Sequence, residues 1–184
     1  MSWKWIVFAV VTLILIYISR ASLRNARSHG FYRFFAWEAI AALFLLNVSY
    51  WFVNPLAWHQ IIAWVLLVAC IVPAIWGIAL LQVRGEPVQS RAEDPNLLAF
   101  EKTTQLVTTG IYKYIRHPLY GSLLLLAWGI FFKLPSWLGL ALVMTATILL
   151  VLTARADEAE CIRFFGPAYQ EYMQRTRRFI PFLF

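Results

Sequence analysis

Between Ala57 and Leu81 the chain runs for 25 residues without one Asp, Glu, Lys or Arg. Such a run has few ways to fold. Wound as a helix it can cross a hydrocarbon core, which takes about 20 residues, and in lipid a helix is one of only two backbone arrangements that satisfy their own amides. Four more apolar runs accompany it: Trp3–Ser19, Phe34–Val53, Pro118–Phe132 and Ser136–Ala154. Pro118–Phe132 is short, and crosses only by borrowing length around Leu134 or by tilting in a protein-lined site. Composition points the same way. The chain is 61% hydrophobic and 14% charged, against about 25% charged in a soluble domain.

The charges set the sidedness. Fourteen of the 16 Lys and Arg fall in three segments, Arg20–Arg33, Arg84–Arg116 and Arg155–Arg178, leaving only Lys4 and Lys133. Five crossings gather those three segments on one face, which the positive-inside rule makes cytoplasmic, with the N-terminus outside. The net charge of +7 is therefore read as topology and contact with anionic membrane lipids. It is not read as a nucleic-acid footprint, because no soluble basic domain is present. The expected fold is all-α: a polytopic membrane bundle of five transmembrane helices with a C-terminal cytoplasmic amphipathic helix. Residues 1–184 form one domain, with three spans and a linker over 1–105 and a hairpin and tail over 106–184. No cleavable signal peptide is expected, since the first run is long, lacks an A-x-A exit and is followed by arginines. The short loops point to a prokaryotic inner membrane; oligomeric state is not readable. Cys70 and Cys161, with three scattered histidines, supply neither a disulfide framework nor a metal site.

Chemistry concentrates in two places. The first is "LVTTGIYKYIRHPLYG", Leu106 to Gly121. Thr108-Thr109-Gly110 can turn the chain. Pro118 suits the first turn of a helix, where its missing N–H has no partner to lose. Arg116 and His117 then lie at the mouth of span four, near the positive end of its dipole. There they either grip a carboxylate or phosphate or simply anchor the helix end. The second place is Asp157-Glu158, just past span five. The turn Lys133–Ser136 is so short that spans four and five must be antiparallel neighbours, so the two pairs can converge. Together they could hold a zwitterion, or close the hairpin as a salt bridge.

Glu38, one turn inside span two, is an intramembrane carboxylate and so a candidate for a substrate channel, or an anchoring partner of Arg33. His29 is expected in solvent. The tail reads as an amphipathic helix from Arg155 to about Phe165, a break at Gly166-Pro167, and a short helix with Tyr169 and Tyr172 on one side.

These two motifs resemble the isoprenylcysteine carboxyl methyltransferase family, a group that includes phospholipid N-methyltransferases. The shared pattern is Gly110, Tyr112, Arg116-His117-Pro118, Tyr120, Asp157-Glu158, Phe165-Gly166, Tyr169, Tyr172 and Pro181. The resemblance covers Leu106 to the C-terminus; the first hundred residues share only hydropathy and span number. It implies S-adenosylmethionine as cofactor, held without a Rossmann fold, and a lipophilic small-molecule or lipid acceptor. His117 and Glu158 would contact the methionine moiety, and the backbone at Leu106–Val107 the adenine. Tyr120, with Gly110, Tyr112 and Asp157, would complete the pocket, and Arg116 would orient the acceptor.

The chain departs from the family pattern twice. Asp157 replaces the first Glu of the usual acidic pair. Arg177 and Arg178 stand where Val-Pro commonly follows the tail arginine, so that Arg178 could face an anionic acceptor, or the pair could anchor the tail to the membrane. NADPH-dependent sterol reductases share an Arg-His-x-x-Tyr block and an Asp-Glu-x-x-Cys tail. They usually place an acid after the Gly of the first block, where this chain has Ser122. A non-catalytic membrane scaffold is the third reading.

Overall fold

The computed structural model describes residues 2–85, 97–98 and 101–180. Most of the acidic-basic linker and Pro181 of the tail pattern lie outside the described residues. Among the described residues seven α-helices carry the fold: α1 Ser2–Ser19, α2 His29–Asn47, α3 Trp58–Ala69, α4 Ile71–Arg84, α5 Pro118–Phe131, α6 Trp137–Phe165 and α7 Pro167–Arg175. Among the described residues there is no strand, only a single parallel bridge between Ile115 and Arg177. Three segments are long and apolar enough to cross a membrane: His29–Tyr50, Trp58–Arg84 and Trp137–Phe165. Trp3–Ser19 and Pro118–Phe131 are apolar but shorter.

The helix ends follow from local chemistry. Ser28 caps α2 by accepting the Phe31 N–H, and Ser136 caps α6 by accepting the Gly139 N–H at 3.1 Å; each satisfies an amide that the helix cannot. Pro118 sits in the first turn of α5. The break between α3 and α4 at Cys70 has a cause in Pro73, which has no N–H to give the Ala69 carbonyl one turn back. The last apolar run does not stop at Ala154. With neither Gly nor Pro between Leu140 and Phe165, it continues unbroken into the charged tail as 29 residues of α6. Gly166, at φ +62°, ends it, a conformation that glycine adopts at no steric cost.

The core lies where α2 crosses α6. Ala36, Ala39 and Leu43 of α2 meet Val143, Ala146, Leu150 and Ala154 of α6, all buried. These positions recur every three or four residues, on one face of each helix. Their small side chains let two backbones approach closely, which is how helices gain contact where lipid offers no hydrophobic drive. From α5, Tyr120, Ala127, Ile130 and Phe131 complete the cluster.

At the end where α5 turns into α6, a polar group is sealed inside. Lys133 is fully buried. Its Nζ donates to Gln60 Oε1 at 3.1 Å and the Trp51 carbonyl at 3.3 Å, and lies 3.3 Å from the Trp64 ring centroid. Gln60 in turn donates to the Lys133 carbonyl at 2.9 Å, and Asn47 donates to the Ile130 carbonyl at 2.8 Å.

Two expectations fail at the other end. Glu38 does not pair with Arg33: its Oε2 accepts from Thr12 of α1 at 2.8 Å, while Arg33 reaches Glu101. His29 is not in solvent but 1% exposed. Both errors arise because α2 is followed 54 residues after its end by a segment that returns to cover its first turn, a contact with no local signature.

Candidate active site

The N-terminal mouth of α5 and the charged half of α6 meet. Arg116 Nε donates to Glu158 Oε1 at 2.9 Å. His117 lies 3.3 Å from the same oxygen through Nε2, and 3.4 Å from Asp157 Oδ2 through Nδ1. A second guanidinium arrives from the tail: Arg178 donates to Glu158 from Nη2 at 2.6 Å and from Nε at 3.2 Å. The tail is held there by its backbone. Arg116 N–H donates to the Arg177 carbonyl at 2.8 Å, His117 N–H to the Arg178 carbonyl at 3.1 Å, and Arg177 N–H to the Tyr114 carbonyl at 3.0 Å.

Arg116 also closes α7. Its Nη1 donates to the carbonyls of Met173 and Thr176, at 3.1 and 2.5 Å, which are among the acceptors a helix end leaves without partners. Tyr172 of α7 donates its hydroxyl to the Tyr112 carbonyl at 2.7 Å. Gly110, at φ +61°, starts the turn that carries Tyr112; a Cβ there would lie 2.5 Å from Leu80 Cδ1.

These elements line a partly open cavity of about 100 Å³. Leu106, Val107, Tyr112, Arg116, His117 and Tyr120 line one part of it, and Asp157, Tyr169 and Tyr172 another. The His117 and Tyr120 rings stack with centroids 5.4 Å apart. Burial alone would lower the His117 pKa, but hydrogen bonds to Asp157 and Glu158 outweigh it and lift the imidazole above its ordinary 6.5. The two carboxylates therefore favour the charged form of the imidazole. Burial pushes the phenols of Tyr112, Tyr169 and Tyr172 above their ordinary range, so all three stay neutral. Across Pro118, which lines both, lies an apolar groove of about 570 Å³ walled by Leu124, Leu125, Trp128, Val151 and Phe179.

The comparison with protein families decides what kind of chain this is. The model described as phospholipid methyltransferase matches residues 58–168, more than half of the sequence. The chain belongs to the phospholipid methyltransferase family. One curated relative is Delta(14)-sterol reductase of Mus musculus, 37% identical over 83 residues, which are 44% of this chain and 20% of the reductase. The chain thus spans about a fifth of that protein's length. No solved structure matches.

Within this phospholipid methyltransferase family member, Arg116, His117, Asp157, Glu158 and Arg178 come together, with Tyr112, Tyr120 and the Leu106–Val107 backbone at the cavity. Gly110 supports the wall without lining it. Glu38 stands apart, against α1. The adjacent acids divide unequally, since successive helical residues point about 100° apart. Asp157 lines the cavity, whereas Glu158, 5% exposed, is enclosed by Arg116, Arg178 and His117.

Sequence reasoning missed Glu101, which also lines the cavity, and beside it the buried His29 and Arg33 and the partly buried Glu160. Burial alone would raise the Glu101 carboxyl; the Arg33 charge and a His29 hydrogen bond overcome this and hold it below 4.5. His29, Asp157 and Glu160 place ligand atoms within 4.8 Å of one another. The Arg33 guanidinium, 3.3 Å from His29 Nε2, would repel a metal cation there, so the group reads as an ion-pair network.

Proposed function

We propose that this chain is an integral membrane methyltransferase of five spans that moves a methyl group from S-adenosylmethionine to a lipophilic, membrane-embedded acceptor. The observation that carries the reading is the meeting of Arg116-His117 with Asp157-Glu158 at a polar cavity, which abuts an apolar groove across Pro118. On this reading the site end is cytoplasmic, the N-terminus is outside, and α7 is an amphipathic helix at the inner surface of a prokaryotic membrane.

The residues fit the cofactor's chemistry. Asp157 offers the cavity a carboxylate for the donor's ammonium, His117 a cation for its carboxylate, and Leu106 and Val107 an apolar wall for adenine. Glu158 acts through its cations, fixing where Arg116, His117 and Arg178 stand. The donor supplies an electrophilic methyl on a sulfonium, whose bonding pair stays on sulfur as the acceptor's lone pair forms the new bond. The chain's contribution is alignment and exclusion of water. Alignment alone can account for about 7–11 kcal/mol of a barrier in favourable cases.

Among the described residues, each carboxylate around the cavity faces a cation: Glu158 three of them, Asp157 His117, and Glu101 Arg33 and His29. A group engaged in this way is a poor base, which favours an acceptor already ionised, such as an isoprenylcysteine-like carboxylate, over an ammonium that must first lose a proton. Arg178, 18% exposed in its side chain, is placed to meet such an anion.

The test is calorimetric titration of detergent-purified chain with S-adenosylmethionine and with NADPH. Binding of the sulfonium with none of NADPH is expected. The reverse would favour the reductase reading suggested by the sterol reductase relative, and turnover that survives both Arg116→Ala and Glu158→Ala would favour a scaffold.

A further inference from the structure

The cavity poses a problem of size. At about 100 Å³ it falls short of the ~300–1,000 Å³ that usually encloses a small-molecule ligand, so a nucleoside donor enters only if a wall moves. The walls on α5 and α6 are fixed in the core through Tyr120, Ile130, Leu150 and Ala154. The wall formed by residues 101–107 has no helix beyond Glu101. At its middle, the amides of Thr104 and Gln105 donate to the Gly85 carbonyl at 2.9 and 3.1 Å. It lies so close that a Cβ on Gly85 would stand 2.3 Å from Thr103 Cγ2.

At its start the wall has a different tie. Glu101 sends its carboxylate to the first turn of α2, accepting from Arg33 Nη1 and standing 3.6 Å from His29 Nε2. His29 is bound on its other side to α6: Nδ1 lies 2.7 Å from Glu160 Oε2, and its backbone N–H donates to Glu160 Oε1 at 2.9 Å. Glu160 thereby meets the positive end of α2, where a carboxylate is favoured. His29 and Arg33 are 1% and 3% exposed, and the Arg33 guanidinium lies over the Trp37 ring at 5.0 Å. The receptor for Glu101 is therefore built into the helix pair, while Glu101 itself starts a wall that has no helical structure from residue 102 to 107.

We propose that Glu101, seated on His29 and Arg33, is a latch that holds residues 101–107 against the cavity, and that His29 and Arg33 are positioning residues for the methyl donor. The donor role rests on the methyltransferase reading; the latch does not. Donor entry releases Glu101 from its seat, and re-seating closes the wall over the bound molecule.

Two measurements on the full chain in detergent test this. The first is amide hydrogen exchange at residues 103–107, without any ligand, in wild type, Glu101→Gln and His29→Gln. Loss of a charged hydrogen bond predicts exchange faster by about tenfold or more, with the amides of α5 and of α6 from Val143 to Ala154 unchanged. Unchanged exchange in both variants, or acceleration spread through those helices, overturns the latch. The second is steady-state methyl transfer by His29→Gln. The KM for S-adenosylmethionine should rise about tenfold with kcat held within about twofold; a fall in kcat at unchanged KM overturns the positioning role. A wild-type chain that binds no sulfonium defeats the assigned reaction, and the exchange result still decides the latch.

Discussion

Where α5 turns into α6, Lys133 is buried among Trp51, Trp64 and Gln60; at the opposite end His29, Arg33, Arg116, His117 and Arg178 face Glu101, Asp157, Glu158 and Glu160 around a cavity. Among the described residues Lys133 has no carboxylate partner. Two neutral oxygens and the faces of indole rings suffice for it, and those contacts tie the α5–α6 turn to the α2–α3 connection at Trp51 and to α3 at Gln60 and Trp64. The other end holds ions of both signs, shared so that no pair is closed upon itself: Glu158 serves three cations, and His117 two acids. A lone cation held by neutral groups is a fastening. A mesh of exchangeable ion pairs beside a void can trade a partner for a ligand at little electrostatic cost.

Substitutions can break this contrast. The largest effect is expected from Glu158→Ala, which removes the carboxylate that Arg116, His117 and Arg178 share. Removing one partner of a buried pair costs about 3–5 kcal/mol, and methyl transfer should fall by more than ~100-fold. Thermal unfolding and labelled-methyl incorporation measure the two. Lys133→Met should cost about 1–3 kcal/mol, because Gln60 Oε1 and the Trp51 carbonyl lose their donor. Transfer should persist at temperatures where the variant is folded, and a loss of activity without loss of stability would show that the two ends are coupled. Gly110→Ala should cost about 1–2 kcal/mol for the left-handed backbone and weaken donor affinity by displacing Tyr112.

The smallest effect at neutral pH comes from titration. His117 is raised, so its charged form contributes fully below 6.5 and is lost as pH rises through its folded value. Glu101 is lowered, so its contribution is present above 4.5 and is lost as pH falls through its folded value. Donor affinity measured against pH should weaken as pH rises through the folded value of His117, and fall in acid as pH drops through the folded value of Glu101.

The site hairpin is the part most legible in the sequence. Pro118 marks where α5 starts, the four-residue turn Lys133–Ser136 forces antiparallel neighbours, and those two facts bring Arg116-His117 near Asp157-Glu158 before any coordinates. Which of the two acids faces the cavity is not legible, because it depends on the rotation of α6 about its axis, set by Ala146, Leu150 and Ala154 packing on α2. Glu101 escapes for another reason. It is a single acid in a polar stretch, and its partners His29 and Arg33 are 72 and 68 residues away with no periodic pattern linking them. Lys133 looks like an ordinary turn charge, since nothing local reveals that Trp51 and Trp64 close over it. The three long apolar segments are legible from length, and the split of Trp58–Arg84 at Cys70 from Pro73.

The bridge between Ile115 and Arg177 has a consequence for synthesis. Arg178, Phe179 and the two carbonyls that fix the Arg116-His117 backbone are translated after all of α1 to α7. A nascent chain whose helices have already entered the bilayer still lacks the backbone that holds Arg116 and His117 until that segment clears the ribosome and threads alongside residues 114–117. Assembly of the bundle and fixing of the Arg116-His117 pair are therefore separate events in time, the second waiting on a handful of later-emerging residues.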